Sequence, residues 1–410
     1  MFTVEEALEA ILRSARRLPS ERVPLLESLG RVLAEDIAAD INVPPFDNSA
    51  VDGYAVRAAD TAGATPEAPV LLRTLADVPA GELARETVTE GTAARVMTGA
   101  PMPPGADAMV MVEDTRPAGA GQVAILEAAQ PNQHIRQAGE DVRRGEVVLR
   151  AGACIRAAEI AMLATMGRAS VPTVRPPRVA VISTGDEVVD IEEGVAPPPG
   201  KIRDSNRYAL AALVREAGAV LHSITHIPDD LAATEAALRA CADPVGGADV
   251  LVTAGGVSVG DRDFVKPALE RLGRLDLWRV AMKPGKPLAF GSIGKALFFG
   301  LPGNPVSAMV TFELFVRPAL WKMAGRDESE LARPQVQAVV LEDVPHAPGR
   351  REYVRAVTAT EGGRFVTRPT GAQGSGILHS MTRANSLLIV PQDSPGIPAG
   401  ETATVLLLEP

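Results

Sequence analysis

From Asp249 to Leu269 the chain reads DVLVTAGGVSVGDRDFVKPAL, an apolar run, a glycine-rich loop and then a helical segment. Within the loop, Gly256-Val257-Ser258-Val259-Gly260 is a literal G-x-S-x-G. That pattern exposes a serine nucleophile when it forms a sharp strand-to-helix turn. It also suits an anion, because the N–H groups of Gly255, Gly256, Ser258 and Gly260, close to a helix start, can donate to phosphate oxygens. Asp186, Glu187, Asp229, Asp230, Asp261 and Asp263 add carboxylates of the kind that hold magnesium, usually together with phosphate. Lys283 and Lys286, on a stiff Pro-Gly turn, can neutralise an anion. Acidic side chains, two lysines and a glycine cradle fit metal-assisted phosphoanhydride chemistry.

A serine hydrolase using Ser258, with His346 and His379 downstream, is the rival. The loop is long for a nucleophile elbow. The following helix is expected to start near Asp263 as its N-cap, with Pro267 early in it, which leaves Ser258 in mid-loop. No G-x-x-x-x-G-K-[ST] or H-E-x-x-H occurs, and no G-x-G-x-x-G opens a helix.

These residues need elements to position them. From Arg178 onward, strand-like runs (RVAVIS, AVLHSITHI, DVLVTAGG) alternate with helical ones (NRYALAALVREAG, LAATEAALRACA, FVKPALERLG). LDLWRVAM, PLAFGSI and KALFFG follow as strands, and NPVSAMVTFELFVRPALWKM closes as a helix. Such alternation predicts a parallel sheet with helices on both faces. The loops STGDE, PDD, TAGGVSVGDRD, KPGKP and LPGNP all follow strands, so they should converge on one sheet edge, where ligands bind in open α/β sheets. Any one of them is an ordinary polar turn; five at one edge make a site.

The remaining zones differ in composition. The expected fold is multidomain α/β plus β, with a central doubly wound, mostly parallel sheet at 176–325. An irregular β domain is expected at 41–139, a discontinuous helical and β linker domain at 1–40 and 140–175, and a small C-terminal β barrel at 326–410.

The chain has 410 residues, 46% hydrophobic and 22% charged, which is enough for several cores. A net charge of −10 argues against nucleic-acid binding. Cys154 and Cys241 form no C-x-x-C, and with no leader-like start they point to a reducing, cytoplasmic setting. The apolar run ALFFGLPGNPVSAMVTFELFV is interrupted by Pro-Gly-Asn-Pro and carries Glu313, so no membrane span is expected.

Six stretches in order resemble one family over nearly the whole chain. They are PPFDNSAVDGYAVR (44–57), RVMTGAPMPPGADAMVMVED (95–114), STGDEVV (183–189), GGVSVGDRDFVK (255–266), MKPGKPLAFG (282–291) and GLPGNPVSAMVTFELFVRP (300–318). This set is similar to the molybdopterin molybdenumtransferases, the MoeA family, related to the E domain of gephyrin. The α/β zone looks like the molybdopterin-binding domain shared with the adenylyltransferase acting one step earlier. The resemblance implies that adenylylated molybdopterin and molybdate are substrates, that magnesium takes part, and that pyrophosphate cleavage releases AMP as molybdenum enters the dithiolene.

It also implies site residues. Asp52, Thr98, Glu187, Asp263 and Lys283 match catalytic positions, with Glu187, Asp263 and Asp229 as magnesium ligands. Asp141, Asp229, Arg279, Arg350 and Ser375 match substrate-binding positions, while Pro302 and Pro305 shape a loop there; the loop chemistry itself adds Asp186, Gly255, Gly256, Ser258 and Lys286 as substrate-binding candidates. Where the family often has a lysine after the tryptophan upstream of KPG, this chain has Arg279, which keeps the charge but not a compact ammonium. Each aspartate could otherwise be a turn residue or a helix cap. The implied partners are a second copy of the chain, with the site between subunits, the molybdopterin adenylyltransferase, and chaperones of molybdoenzymes downstream. Further rivals are a non-catalytic scaffold of the gephyrin kind and an enzyme of the adenylylation step.

Overall fold

The computed structural model describes every residue except Ala120, Glu193, 258–262 and 409–410, and leaves the side chains of Ala76, Leu277 and Trp278 undescribed. The chain forms two compact units. The larger comprises Met1–Glu35, Ala151–Ile160 and Ala169–Pro410; the smaller comprises Asp36–Arg150 and Ala161–Arg168.

The larger unit is built on a six-stranded sheet in the order Val220–Ile227, Arg178–Thr184, Val250–Ala254, Ala296–Leu301, Pro287–Ile293, Arg274–Arg279. The first four strands are mutually parallel. The last two pairings are antiparallel, because Pro287–Ile293 and Ala296–Leu301 form a hairpin. Arg274–Arg279 therefore runs in the same direction as the first four strands, and its end lies at the same edge. The strands are near-continuous in apolar residues because both faces are covered. Val179 and Val181 pack into one core with the helix Asn206–Glu216 and the Pro305–Met323 segment. Ala180 and Ile182, one residue out of phase, pack into the other with Leu231–Cys241 and Val265–Leu272. The expected doubly wound sheet is thus present.

The closing helix is not uniform. Pro305–Thr311 is α-helical, Phe312–Val316 is a π-helical turn, and Arg317–Met323 is α-helical again. At the N-terminus, Val4–Ser14 carries a capping box, with Thr3 Oγ1 accepting from Glu6 N–H at 3.1 Å and Glu6 Oε2 accepting from Thr3 N–H at 2.8 Å.

The C-terminal region is a closed five-stranded barrel. Arg351–Glu361 pairs with Arg364–Pro369, which pairs with Gln335–Val340, then Thr402–Leu407, then Ser386–Val390, which returns to Arg351–Glu361. Closure removes exposed sheet edges. The short strand Met282–Lys283 adds in parallel against Arg351 and Glu352.

The smaller unit is a separate six-stranded sheet in the order Ala108–Met111, Gly53–Val56, Thr92–Val96, Val70–Val78, Gln122–Ile125, Thr115–Pro117. Gly53 is required there, since a Cβ would lie 2.0 Å from the carbonyl oxygen of Val110. Among the described residues no helix is long and apolar enough to cross a membrane.

Candidate active site

The carboxyl edge of the central sheet opens onto a cleft of about 660 Å³. Its floor is backbone. Gly255 and Gly256 leave the Val250–Ala254 strand with φ of +94° and +69°, values that favour glycine. A Cβ on Gly256 would come 2.5 Å from Val265 Cγ2, so the helix behind can pack only on a glycine. The Gly255 N–H is held by the Leu301 carbonyl at 3.0 Å, which ties this loop to the 302–305 turn. In that turn Pro302 and Pro305 line the cleft, and Pro305 occupies the first helical position, where the missing N–H costs nothing.

Of the carboxylates expected at the site, Glu187, Asp229 and Asp263 line the same cleft, each from a different loop. The two aspartates of the PDD loop divide their roles. Asp230 caps the helix Leu231–Cys241, its Oδ1 accepting from Ala233 N–H at 2.7 Å, and Asp229 is left to the cleft. Asp186 secures Asp229 through reciprocal contacts. Asp229 Oδ2 accepts from Asp186 N–H at 3.2 Å, and Asp186 Oδ1 accepts from Asp229 N–H at 3.1 Å. The expectation that Asp263 caps the next helix is corrected. Phe264 holds the N-cap position in right-handed α conformation, with no side-chain cap. The chain turns helical one residue later than expected, and Asp263 stands outside the helix, lining the cleft.

Several expected residues lie elsewhere. Arg279, Lys283, Lys286, Arg350 and Ser375 are not among the residues lining the cleft, although Pro287 and Gly376, next in sequence to Lys286 and Ser375, are. The Lys283 ammonium is paired with Glu352 Oε1 of the barrel at 2.9 Å. The Lys286 carbonyl accepts from Val280 N–H at 3.0 Å, and its side chain is exposed. The carbonyl of Ser375 accepts from Val306 N–H at 3.2 Å, bringing the 375–378 segment to the cleft. Ser258, Gly260 and Asp261 lie outside the described residues.

Asp52, Thr98 and Asp141 belong to the smaller unit. Asp52 Oδ1 accepts from both the N–H and the hydroxyl of Thr98, each at 2.7 Å. These bonds, the backbone one foremost, hold its carboxyl below the ordinary aspartate range. Asp141 is exposed, and its N–H donates to the Val43 carbonyl at 3.0 Å.

Sequence reasoning missed a buried polar group at the cleft wall. The Ser183 hydroxyl donates to Asp204 Oδ2 at 2.5 Å and lies 3.0 Å from His226 Nδ1. Asp204 Oδ1 also accepts from Arg207 N–H at 3.0 Å. Ser183, Asp204 and Asn206 all line the cleft. The only sequence signal was the polar run Arg203-Asp204-Ser205-Asn206 ahead of a helix, which reads equally well as a cap.

Magnesium can be tested against these residues. Glu187, Asp229 and Asp263 are the hard oxygen donors it prefers, yet among the described residues no group of three His, Cys, Asp or Glu side chains is gathered closely enough to hold a metal. This donor set fits an ion that arrives with substrate phosphates and takes one or two carboxylates from the protein. The hydrolase arrangement gains no base from His346, because both its ring nitrogens are engaged by carbonyl oxygens, Ser394 at 2.8 Å and Arg350 at 2.9 Å.

The sheet and cleft, residues 180–322, match the family model described as a probable molybdopterin binding domain. Residues 2–167 match the MoeA N-terminal region (domain I and II), and 337–408 match the MoeA C-terminal region (domain IV). The class so defined is that of the transferases of molybdenum cofactor biosynthesis. The chain is 37% identical to the molybdopterin molybdenumtransferase of Haemophilus influenzae, over 99% of this chain and 98% of that one. It is 39% identical to molybdopterin molybdenumtransferase 2 of Mycobacterium tuberculosis, over 98% of each chain. The crystal structure of the molybdopterin biosynthesis moeA protein from Pyrococcus horikoshii superposes with a TM-score of 0.84 at 34% identity, covering 99% of this chain and 100% of that one. The chain belongs to the MoeA family of molybdopterin molybdenumtransferases.

Proposed function

We infer that this chain inserts molybdenum from molybdate into adenylylated molybdopterin, with magnesium-dependent cleavage of the pyrophosphate link and release of AMP. The observation that carries this reading is the cleft, where a glycine-walled backbone cradle from two strand ends meets Glu187, Asp229 and Asp263. The Gly256 N–H suits a phosphate of a nucleotide-linked substrate and adds no side-chain charge, whereas the Gly255 N–H, expected to do the same, is already given to the Leu301 carbonyl. Magnesium, when bound with those phosphates, would draw charge from the breaking phosphoanhydride. Glu187 and Asp263 are the residues that would hold it, with Asp229 fixed nearby by Asp186. Water supplies the oxygen for the cleaved pyrophosphate; one phosphate leaves as AMP and the other stays on the pterin product.

In this reading Lys283, Asp52 and Thr98 are catalytic together with Glu187 and Asp263, and Arg279, Lys286, Arg350, Ser375 and Asp141 bind substrate. The chain acts as a homodimer whose sites draw residues from both copies. An adenylyltransferase supplies its substrate, and chaperones of molybdoenzymes take its product. Its domains are 1–40 with 140–175, 41–139, 176–325 and 326–410 in this reading. The free thiols of Cys154 and Cys241 support a cytoplasmic setting.

The test is AMP release from adenylylated molybdopterin with magnesium, with and without molybdate, by wild type, Glu187→Ala and Asp52→Ala. Molybdate-dependent release lost in both variants is expected. No release by folded wild type at any molybdate concentration rejects the reaction.

A further inference from the structure

Glu352 is a buried acid, 3% exposed, on the barrel strand Arg351–Glu361. Its Oε1 accepts from the Lys283 ammonium at 2.9 Å. Its Oε2 is buried, has no hydrogen-bond partner among the described residues, and lies 3.9 Å from His346 Nε2. A buried carboxylate is costly unless cations compensate it. Lys283 is half exposed and compensates one side only.

His346 supplies the other side. Its side chain is 2% exposed, and its two ring nitrogens lie 2.8 and 2.9 Å from the carbonyl oxygens of Ser394 and Arg350. Carbonyl oxygens only accept, so each ring nitrogen must carry a hydrogen, whereas a neutral imidazole has one N–H. A ring with two is a cation. A further charged group near the carboxylate is Arg355, fully buried and held by Ser380 and Gly374. Its guanidinium is pushed down by burial, and Glu352 opposes that shift.

We propose that Glu352, clamped against a cationic His346, is a positioning residue that fixes the Lys283 ammonium beside the active-site edge. The inference rests on the reading of Lys283 as a site residue. A free lysine has many rotamers; a lysine tied to a buried carboxylate on a closed barrel has few. The parallel pairing of Met282–Lys283 with Arg351 and Glu352 fixes the backbone on both sides of the ion pair. The barrel thereby sets where a charge of the α/β unit sits.

Three measurements on the full chain test this. In 15N-histidine-labelled protein at neutral pH, NMR should show one ring, lost in His346→Gln, with both nitrogens protonated; a single protonated nitrogen there overturns the clamp. Competitive acetylation read by mass spectrometry should label Lys283 several-fold faster in Glu352→Gln while Lys286 is unchanged; equal labelling of Lys283 in the two proteins overturns the positioning. Neither measurement needs substrate, so both stand even if AMP release is absent. In the AMP assay, Glu352→Gln should lower kcat/KM by about 10²-fold. The Glu352→Gln, Lys283→Ala double variant should be no worse than Lys283→Ala alone. Additive losses would show Glu352 to be merely structural.

Discussion

Asp52 and Thr98 are joined by two hydrogen bonds to one carboxylate oxygen, from the Thr98 backbone N–H and from its hydroxyl, both at 2.7 Å. The backbone bond is the larger cause of the lowered carboxyl pKa and the hydroxyl the next. In Thr98→Val the hydroxyl goes and the N–H stays. The Asp52 carboxyl should then titrate higher than in wild type, but still below an ordinary aspartate. Because the native value is depressed, any stability this contact confers is present above the usual carboxylate range and is lost as pH falls through the native value. Carboxyl 13C NMR against pH checks the order wild type, Thr98→Val, free aspartate.

Gly256 is fixed by two independent demands, a φ of +69° and contact with Val265. Gly256→Ala should cost about 1–3 kcal/mol from backbone strain alone, with the Val265 contact adding to it. Differential scanning calorimetry should show a lower Tm. If wild type and variant melt together, the cleft floor is not under this constraint.

Glu313 lies in the π-helical turn and is shared by two arginines. Its oxygens accept from Arg317 Nε and Nη2, each at 2.7 Å, and from Arg333 Nε at 3.0 Å. The side chains of Glu313 and Arg317 are 4% and 1% exposed. Glu313→Gln leaves two guanidinium groups short of their counterion, and breaking a buried pair in this way costs about 3–5 kcal/mol. Urea unfolding followed by tryptophan fluorescence should show the loss. A change under 1 kcal/mol would mean that solvent or Glu216, 3.6 Å from Arg317, takes over.

Magnesium should bind the free chain weakly and bind markedly better with AMP present, since the described carboxylates form no ready-made cage. Calorimetric titration with and without AMP checks this, and Asp263→Asn should remove most of the gain. Tight magnesium binding to the free chain would point instead to a preformed site that includes residues outside the described set.

Some of this protein is written in its local sequence. The apolar runs of the central strands, the Gly and Pro punctuation after them, and the capping signals dictate strands, turns and helix starts through contacts a few residues long. Because parallel strands end on the same side, the convergence of five loops followed from alternation alone. So did the placing of Glu187, Asp229 and Asp263 at one edge. The resemblance to the MoeA family was equally legible, since it rests on residue identities in order.

Tertiary structure decided what depends on partners far apart in the chain. Whether Asp229 or Asp230 faced the cleft turned on which one met the N–H of Ala233. Asp263 missed its expected cap because the helix began one residue later, a shift that composition does not register. Lys283 is drawn to Glu352, 69 positions further on, by strand pairing with a barrel whose closure no short window reveals. The Ser183–Asp204–His226 cluster was invisible for the same reason: serine, aspartate and histidine are common surface residues, and only the meeting of buried Ser183 and Asp204 with the half-buried His226 gives them a joint role.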